Sequence, residues 1–451
     1  MTTVLFADRD GSSLAPLSDV TVPALFPIRS APALERTLED LVSSGIRTAL
    51  CVVGPRAGEV ERRFGKGIRW GIALEYVRRE ESESPGDVLR RLEQRLDGET
   101  LVVRGDVGAE GAIAEFVSAV ESRKEPVVAA VASGDRTRPL GLWRIEPQAL
   151  KKVELPREPA DPGWALAKDH VPVALDVEAR PLDSLAAFWR ADRGSEASSV
   201  SPRATVAPRS RLKGGTSVAE EAVVLDGAEL SGVTVLPRTV VPSGVTLADA
   251  VVTQNRVVDP ATGAVTRLTD LLPPAAGKSP APGVGSRLAA LVLLVLSIPL
   301  WPIALVWSAI ANAGHPTRPY RFAGWSPEGR REVRTFRFET GIPLFRDLPL
   351  LLALLSGTLA LGGVAPLAPE EEAAPSEPWG KVRLEAPPGL LARSRMVAPP
   401  AAPPEVARVV DAFDARRGLP GLVTLGLSTL FSARAFSAPK AWNPDQLPDQ
   451  G

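Results

Sequence analysis

The sequence predicts three successive structural classes in one chain: an α/β domain, a parallel β-helix and a membrane-associated α-helical region. Three observations predict them. Short apolar runs alternate with amphipathic segments in residues 1–193, and a six-residue repeat follows them. Farther on, residues 288–317 contain no Asp, Glu, Lys or Arg, which is typical of a segment that enters a bilayer. A chain of 451 residues is long enough for about three domains.

The overall composition narrows the kinds of partner and site. The formal net charge is −1 and the pI is near 6.3, which argues against nucleic acid because phosphate binding needs an excess of basic residues. Cys51 is the single cysteine and sits in an apolar run, so a disulfide framework is excluded and a buried position is expected. The two histidines, His170 and His315, are far apart, so we expect no His/Cys metal cluster.

Residues 1–193 form the first predicted domain. Runs rich in aliphatic and β-branched residues alternate with helical patterns, the first of which places Leu34, Leu38 and Leu41 on one face. This alternation predicts a doubly wound α/β sheet with ligands at the carboxyl ends of its strands. The predicted buried strands are TVLFA, TALCVVG, ALEYV, TLVVRGDV and PVVAAVAS, and the predicted helices are ALERTLEDLVSSG, AGEVERRFG, DVLRRLEQRL and IAEFVSAVESR.

The order of these segments over residues 3–107 resembles the sugar nucleotidyltransferases, which join sugar 1-phosphates to nucleoside triphosphates. The resemblance is carried by APLSDVTVPALFPI, LEDLVSSGI, VVG, WGIALEYV and RGDV. It implies that ADRDGSSLAPL corresponds to the glycine-rich loop that holds the triphosphate, in which Gly11 is retained, and that Asp106 corresponds to a metal-binding aspartate. Mg²⁺ is therefore the expected cofactor if the chain is an active enzyme, and otherwise none is expected.

Several positions depart from the pattern of that family. Arg9 replaces a glycine, Ser13 stands where the family has an arginine, and Asp8 and Asp10 add negative charge where a triphosphate would lie. Phosphoryl transfer depends on positive groups that neutralise developing charge, so we expect the fold to persist without its chemistry. Further departures are Pro23 and Ala31 in place of lysines, and Ser84, Pro85 and Gly86 in place of the base contact.

A six-residue repeat occupies 200–252, within a predicted second domain at 194–270. An aliphatic residue leads most hexads and a small or β-branched residue sits four positions later, which resembles the left-handed hexapeptide-repeat β-helix. We expect about three coils, preceded by a connecting helix at 182–193. The repeat contains no histidine that could serve as a base for acyl transfer, so a structural role or homo-oligomerisation is favoured. The leading residues are Val200, Val206, Leu212, Val218, Val224, Leu230 and Leu236.

A Pro/Gly-rich linker at 271–285 leads to the uncharged segment at 286–310. Pro299 and Pro302 lie in its middle beside Ser297, and each disfavours helix in the residue before it, so we expect a bend there. Arg287 precedes the segment and further arginines follow it, which suits a re-entrant hairpin that enters and leaves by the cytoplasmic face. A kinked single-pass helix remains the alternative, and a soluble core helix is less favoured.

Residues 286–437 resemble the monotopic phosphoglycosyl transferases, which move a phosphosugar from a nucleotide sugar to undecaprenyl phosphate. Matching segments are REVRTFRFET, RDLPLLLALLSGTLALGGVAPLAPEE, PGLLARSRM and DAFDARRGLPGLVTLGLSTLFSARAF, and Ser297 with Pro299 approximates the break of the re-entrant helix. The resemblance implies a catalytic Asp-Glu pair, but Arg346 and Asp347 occupy those positions. Asp347 is thus the one acid left that could serve as nucleophile, through a one-residue slip of register.

Other parts of this region also depart from the family. Gly363, Val364, Ala365 and Pro366 replace a Gly-Pro-Arg-Pro motif and its phosphate-binding arginine. Residues 348–367 are nearly uncharged, and their glycines and prolines favour a membrane-dipping element over a second spanning helix. Leu422, Thr424 and Ser428 replace polar or basic residues of the tail helix, and 438–451 is a predicted disordered tail.

Three functions are consistent with these observations. The first is a catalytically degenerate scaffold or regulator in bacterial surface-polysaccharide synthesis, of the exopolysaccharide or O-antigen type. The second is an active phosphoglycosyl transferase with a UDP-sugar and undecaprenyl phosphate as substrates, and the third is a nucleotide-sugar sensor. The chain begins without a secretory signal pattern, so we expect it at the cytoplasmic face of the bacterial inner membrane.

Overall fold

The computed structural model describes most of the chain. All statements below concern the described residues, which are 1–108, 111–156, 167, 169–177, 180–194, 196–274, 282–311, 315–340, 342–373, 378–399 and 402–417. Most of the predicted tail, including Leu422, Thr424, Ser428 and 438–451, lies outside them, as does 275–281 of the predicted linker.

The first part of the chain forms an α/β fold around a seven-stranded sheet of order β10-β8-β9-β6-β1-β4-β5. The inner strand β1 pairs in parallel with β4 and β6, while β9 runs antiparallel to β6 and β8. The strands are β1 (Thr2–Ala7), β2 (Pro27–Ile28), β3 (Ala31–Pro32), β4 (Thr48–Val53), β5 (Ala73–Arg78), β6 (Thr100–Arg104), β7 (Val107–Gly108), β8 (Val127–Ala132), β9 (Asp135–Ile145), β10 (Val171–Leu175) and β11 (Arg180–Pro181); the helices are α1 (Ala33–Ser43), α2 (Ala57–Phe64), α3 (Pro85–Arg91), α4 (Ala112–Val120) and α5 (Leu185–Arg193).

The five predicted strands and four predicted helices of this domain are confirmed, with one correction. ALEYV was expected to be buried, but β5 is the edge strand, and Ala73, Glu75 and Arg78 are exposed because only β4 lies beside it. Strands β9 and β10 were not predicted. Cys51 is buried, as expected, on β4.

The repeat forms short parallel strands that stack in three separate sheets. Successive strands join the three sheets in rotation, so each turn of chain contributes one strand to each sheet. The strands are β12 (Ser199–Val200), β13 (Thr205–Val206), β14 (Arg211–Lys213), β15 (Ser217–Val218), β16 (Val223–Val224), β17 (Glu229–Ser231), β18 (Thr234–Val235), β19 (Val240–Val241), β20 (Thr246–Ala248), β21 (Val251–Thr253), β22 (Arg256–Val258) and β23 (Val265–Arg267). We call 199–253 the stacked-strand region.

The frame of the predicted hexads is wrong after Leu230. Val218 pairs with Val235, and Val224 pairs with Val241, so the repeat advances by 17 residues here. The turn after β14 contains two glycines, Gly214 and Gly215, whereas the turn after β17 contains one. Because this turn is one residue shorter, each residue that leads a hexad after it comes one position earlier in the sequence than the unbroken six-residue repeat predicts. Leu236 is therefore not a core residue of the stack; it packs outward against α5.

Helices cover two sides of the stacked-strand region. Phe188 of α5 packs with Leu236 and Val251, and Val410 of the last described helix packs with Val223. The confirmed helix α5 also hydrogen-bonds the stack, because Trp189 Nε1 donates to the Gly232 carbonyl oxygen at 2.7 Å. The stack therefore connects the α/β fold to the last part of the described chain. Its role in homo-oligomerisation stays a prediction.

The uncharged segment forms two helices, α6 (Val284–Ser297) and α7 (Leu300–Ala311), bent by 66° at the expected break. No single described helix is long and apolar enough to cross a membrane, but this bent pair meets the length and composition together. Pro302 lies in the first turn of α7, where a missing N–H costs little, so the bend is at 298–299 and not at Pro302. Trp301 Nε1 donates to Ser297 Oγ across the break at 3.2 Å.

A long hairpin and short helices complete the described chain. The hairpin strands are followed by Leu350–Leu355, a helix of only 6 residues, so the nearly uncharged 348–367 forms no long helix. The elements are β24 (Thr317–Ser326), β25 (Gly329–Phe338), β26 (Ala360–Gly362) and β27 (Gly389–Leu391), with helices α8 (Pro343–Arg346), α9 (Leu350–Leu355), α10 (Pro369–Ala373), α11 (Arg393–Val397) and α12 (Pro404–Arg417).

Candidate functional site

The predicted nucleotide and metal residues come together at the carboxyl edge of the α/β sheet. The loop that carries Asp8, Arg9 and Gly11 follows β1, and Asp106 follows β6. Since β1 and β6 are parallel neighbours, the two segments emerge side by side. Asp8, Arg9 and Asp106 are all buried, with relative exposures of 1%, 4% and 1%.

Arginines surround both buried aspartates. Arg9 Nη1 lies 3.2 Å from Asp106 Oδ2, and Arg104 Nε lies 3.4 Å from Asp106 Oδ1. Arg104 also reaches Asp8, with Nη1 3.5 Å from Oδ1. The remaining Asp8 oxygen lies 2.7 Å from Arg79 Nε. We call these five residues the arginine–aspartate network. Arginines thus compensate the negative charge that the sequence predicted Asp8 to add at the loop.

The arginines of the network also have partners beyond the aspartates. Arg9 Nη2 donates to the Leu182 carbonyl oxygen at 2.8 Å and to Ser13 Oγ at 3.3 Å. Arg9 therefore reaches the side chain of Ser13, the position at which the resemblance predicts an arginine. Arg79 donates to the carbonyl oxygens of Asp8, Glu80, Glu81 and Glu83. The network is therefore closed by groups of the protein itself.

This closure makes the site a poor match for Mg²⁺. Burial alone would raise the pKa of Asp106, but the charges of Arg104 and Arg9 outweigh burial and hold that pKa below its ordinary value. The carboxylate is thus ionised, yet both of its oxygens face guanidinium groups instead of open space. Within the described part of the chain, no group of three His, Cys, Asp or Glu residues could hold a metal ion. The residues present do not fit the metal that a nucleotidyltransferase needs.

Gly11 and Ser84 have clear structural reasons for their identity. Gly11 has φ of 80°, and a Cβ there would lie 2.8 Å from Pro23 Cγ, so glycine is required by the loop itself. Ser84 is the N-cap of α3, where its side chain accepts from the Asp87 amide and Asp87 in turn accepts from the Ser84 amide. Neither residue needs a nucleotide to explain it.

A cavity of about 380 Å³ lies beside the network, at the carboxyl ends of β1 and β4. Its wall combines apolar side chains such as Val22 and Val60 with charged ones. Among the charged ones, Arg56 Nε is paired with Glu59 Oε1 at 2.6 Å. The cavity is large enough for part of a nucleotide sugar, although the nearby cations already have partners.

The second predicted site, Asp347, lies in the region after the bent helix pair. Arg337 Nε is 3.0 Å from Asp347 Oδ1, and Arg346 binds the same carboxylate through Nε and Nη2 at 3.1 and 3.0 Å. Burial would raise the pKa of Asp347, but the Arg346 hydrogen bond and the charge of Arg337 hold it below its ordinary value. The acid expected to act as nucleophile is thus an ionised member of a salt bridge.

The sequence reasoning named Arg9 and Arg346 but missed Arg79, Arg104 and Arg337 as partners of the aspartates at the two sites. Arg104 lies at the end of the buried strand β6, and a charged residue in such an apolar run is a usable signal of a buried ion pair. No local signal marked Arg79 or Arg337. Arg287, predicted as a membrane flank, lies against Gly357, whose added Cβ would be 2.6 Å from Arg287 Nη2.

Comparison with known proteins finds similarity in the first part of the chain. Residues 3–160 match the nucleotidyl transferase family. A glucose-1-phosphate thymidylyltransferase of Streptomyces antibioticus is 30% identical over 77 residues, which is 17% of this chain and 22% of that relative. A crystal structure from Bacillus anthracis, described as a glucose-1-phosphate thymidylyltransferase in complex with sucrose, has a TM-score of 0.36 at 16% identity and covers 43% of this chain and 94% of its own.

These comparisons support a statement about the first domain of the chain only. The chain has an N-terminal nucleotidyltransferase-like domain with sugar-phosphate thymidylyltransferase homologues, and its fold is α/β with a largely parallel sheet.

Proposed function

We propose that this chain is a membrane-associated protein of bacterial surface-polysaccharide synthesis in which the nucleotidyltransferase-like domain has lost catalysis and serves as a scaffold or regulator. The observation that carries the proposal is the arginine–aspartate network. Asp106, the aspartate that matches the metal-binding position of the family, is held by Arg9 and Arg104. Without a free carboxylate there is nowhere in this network to place the cation that neutralises a triphosphate.

The connections through the stacked-strand region support a scaffolding role. On one side, Asp192 of α5 accepts hydrogen bonds from the Ser217 and Thr234 hydroxyls at 2.9 and 2.6 Å. On the other side, Arg393 Nη1 donates to Ser243 Oγ at 2.9 Å while the same guanidinium binds Asp414 of α12. These contacts, buried at Asp192 and partly buried at Arg393, hold the α/β fold and the last described helices on one stack.

The bent helix pair supports membrane association. Its outer surface is apolar over most of both helices, which is unusual for a surface that faces water. The exposed apolar residues include Leu288, Val292, Leu296, Ile303, Val306, Trp307 and Ile310. A 66° bend between two short helices is compatible with a re-entrant hairpin that rests in one leaflet.

The loss of catalysis is tested by metal binding and by turnover. We expect the purified full chain to bind no Mn²⁺ tightly, by electron paramagnetic resonance, because the Asp106 carboxylate is paired. We also expect no pyrophosphate release from dTTP or UTP with glucose 1-phosphate and Mg²⁺. Asp106→Asn tests the network aspartate, and Asp97→Asn is the control because Asp97 is an exposed acid near the other end of β6.

A clear result would overturn this proposal. If the wild-type chain binds Mn²⁺ and releases pyrophosphate, and Asp106→Asn abolishes both while Asp97→Asn does not, the network must open and the domain is an enzyme.

A nucleotide-sugar sensor is the second candidate, and the cavity beside the network favours it. A sensor would bind UDP-glucose or dTDP-glucose without turning it over. Val60 lines this cavity and is buried on α2, so Val60→Trp should fill it and abolish such binding. Isothermal titration calorimetry of wild type and Val60→Trp distinguishes a sensor from a scaffold. A sensor gives a heat of binding in the wild type but not in Val60→Trp, whereas a scaffold that does not bind this ligand gives none with either protein.

An active phosphoglycosyl transferase remains testable through Asp347. Release of UMP from UDP-sugars with undecaprenyl phosphate and Mg²⁺, lost in Asp347→Asn, would establish it. The salt bridges from Arg337 and Arg346 argue against this reading, because a carboxylate stabilised by two guanidinium groups is a weaker nucleophile.

A further inference from the structure

We propose that Arg337 and Arg346 form a binding site for the phosphate group of a membrane lipid, which the protein holds without reacting with it. The site lies where α8 meets β25. We call it the phosphate cradle. The inference rests on the membrane association proposed above and specifies which part of the lipid the protein recognises.

The charges of the cradle are unbalanced. Two guanidinium groups, those of Arg337 and Arg346, pair with the one carboxylate of Asp347. On the neighbouring strand, Arg318 stands directly opposite Arg337 in the hairpin register. Like charges placed opposite each other destabilise a strand pair, so this arrangement favours an anion that lies between them.

Arg337 carries an incomplete set of partners. Its guanidinium lies 3.5 Å from the centre of the Tyr320 ring, and its Nε faces Asp347. Its Nη2 is buried and has no hydrogen-bond partner in the part of the chain that the structure describes. A buried donor without an acceptor is costly, and an anionic oxygen at this place would remove that cost.

The desolvation of Arg337 agrees with this interpretation. Burial lowers the pKa of the Arg337 guanidinium, and the Asp347 charge offsets only part of that effect. A second anion beside it would stabilise the charged form. Guanidinium groups suit phosphate because their fixed fork of N–H donors matches two phosphate oxygens at once.

The surroundings of the cradle point to a lipid as the source of the phosphate. Phe338, next to Arg337, packs edge-on against Trp301 of α7 at 5.8 Å between ring centres. Phe345, next to Arg346, packs into the same apolar cluster as Ala290 and Ala304 of the bent helix pair. These contacts place the segments that carry Arg337 and Arg346 beside the bent helix pair, whose exposed apolar residues we assign to the membrane, and this position favours a lipid headgroup as the source of the phosphate.

The cradle makes a prediction about Asp347 that differs from the catalytic reading. Asp347 competes with the lipid phosphate for Arg337 and Arg346, so its removal should free both arginines. Asp347→Asn is then expected to strengthen phosphate binding. If Asp347 were instead a catalytic nucleophile, the same substitution would abolish the reaction and would not strengthen ligand binding.

The test uses the full chain in maltoside micelles and three probes: decyl phosphate, short-chain phosphatidylglycerol and inorganic phosphate. We expect one or both lipid probes to bind at least about tenfold more tightly than inorganic phosphate. Arg337→Met should weaken that binding by about tenfold or more, as expected for the loss of one charge-assisted hydrogen bond. Arg346→Met, in which Arg337 still pairs with Asp347, is the second variant in case the first fails to fold.

Arg334→Met is the matched control. Arg334 lies on the same strand, 79% exposed, and on the opposite face of the hairpin from Arg337. Its loss should change lipid-phosphate affinity by no more than about twofold.

The outcomes separate the cradle from the membrane proposal. Unchanged affinity in folded Arg337→Met and Arg346→Met, weaker binding in Asp347→Asn, or equal affinity for inorganic phosphate would each overturn the cradle. Failure of the wild type to sediment with vesicles while it still binds decyl phosphate would overturn membrane association and leave the cradle in place.

Discussion

Asp192 offers a direct test of how the α/β fold is held on the stacked-strand region. This carboxylate lies on α5 and is buried, with 1% relative exposure. It accepts hydrogen bonds from the Arg29 amide at 2.7 Å, the Ser217 hydroxyl at 2.9 Å and the Thr234 hydroxyl at 2.6 Å. Asp192→Ala removes all three acceptor contacts together.

The expected cost follows from these three bonds. At about 1 kcal/mol for each hydrogen bond, Asp192→Ala should destabilise the junction by about 3 kcal/mol. Asp192→Asn keeps an oxygen for the Arg29 amide and an NH₂ that a hydroxyl can accept, so most of this loss should be restored. A change of about 3 kcal/mol corresponds to about a hundredfold change in an equilibrium constant.

The pH dependence has a definite sign. Burial raises the pKa of Asp192 to about 6, so the folded protein binds this proton more tightly than the unfolded chain. The stability that this group contributes is full below about pH 4 and is lost as pH rises through about 6, by about 3 kcal/mol for a shift of about two pKa units. Asp192→Asn should remove this slope.

Hydrogen–deuterium exchange measures the effect locally, at the paired amides of β15 and β18. We expect Asp192→Ala to raise their exchange up to about a hundredfold at pH 5, and Asp192→Asn to change it by less than about tenfold. Equal exchange in wild type and Asp192→Ala would show that the three contacts do not hold the junction. A slope between pH 4 and 6 that persists in Asp192→Asn would refute the assignment of that proton.

Three further predictions concern the network, the repeat and the helix pair. Arg104→Met should lower the free energy of unfolding of the α/β fold by about 1.5–3 kcal/mol, because it removes the buried guanidinium that Asp8 and Asp106 share and leaves each with one arginine; a urea melt with a loss under about 1 kcal/mol would contradict the network. Leu236→Ala should increase amide exchange in α5 more than in the strand of Val235, because Leu236 packs outside the stack; the reverse order would restore the unbroken hexad frame. Gly357→Ala should cost about 1–2 kcal/mol in thermal unfolding, since Gly357 has φ of 76° beside Arg287, and no loss would show that this turn relaxes.

The sequence alone determined most of the local structure. Apolar runs such as that around Cys51 predicted the sheet, and the spacing of residues such as Val218 and Val224 predicted short stacked strands, because periodicity records which side chains must be buried. The bend near Pro299 was also predictable, since proline removes a backbone donor wherever it stands. The altered positions Arg9 and Arg346 were visible as departures from a family pattern.

Only the tertiary structure decided what those changes mean. Arg9, Arg79 and Arg104 come from three separate segments, and no spacing along the chain shows that they converge on Asp8 and Asp106. The repeat slips by one residue at Gly232 because the turn there is shorter. A six-residue pattern assumes that every turn has the same length, so it could not show this slip. Arg337 Nη2, which is buried without a hydrogen-bond partner among the described residues, owes that position to packing between a hairpin and short helices. Contacts between distant segments depend on how the elements pack, and that information is absent from local periodicity.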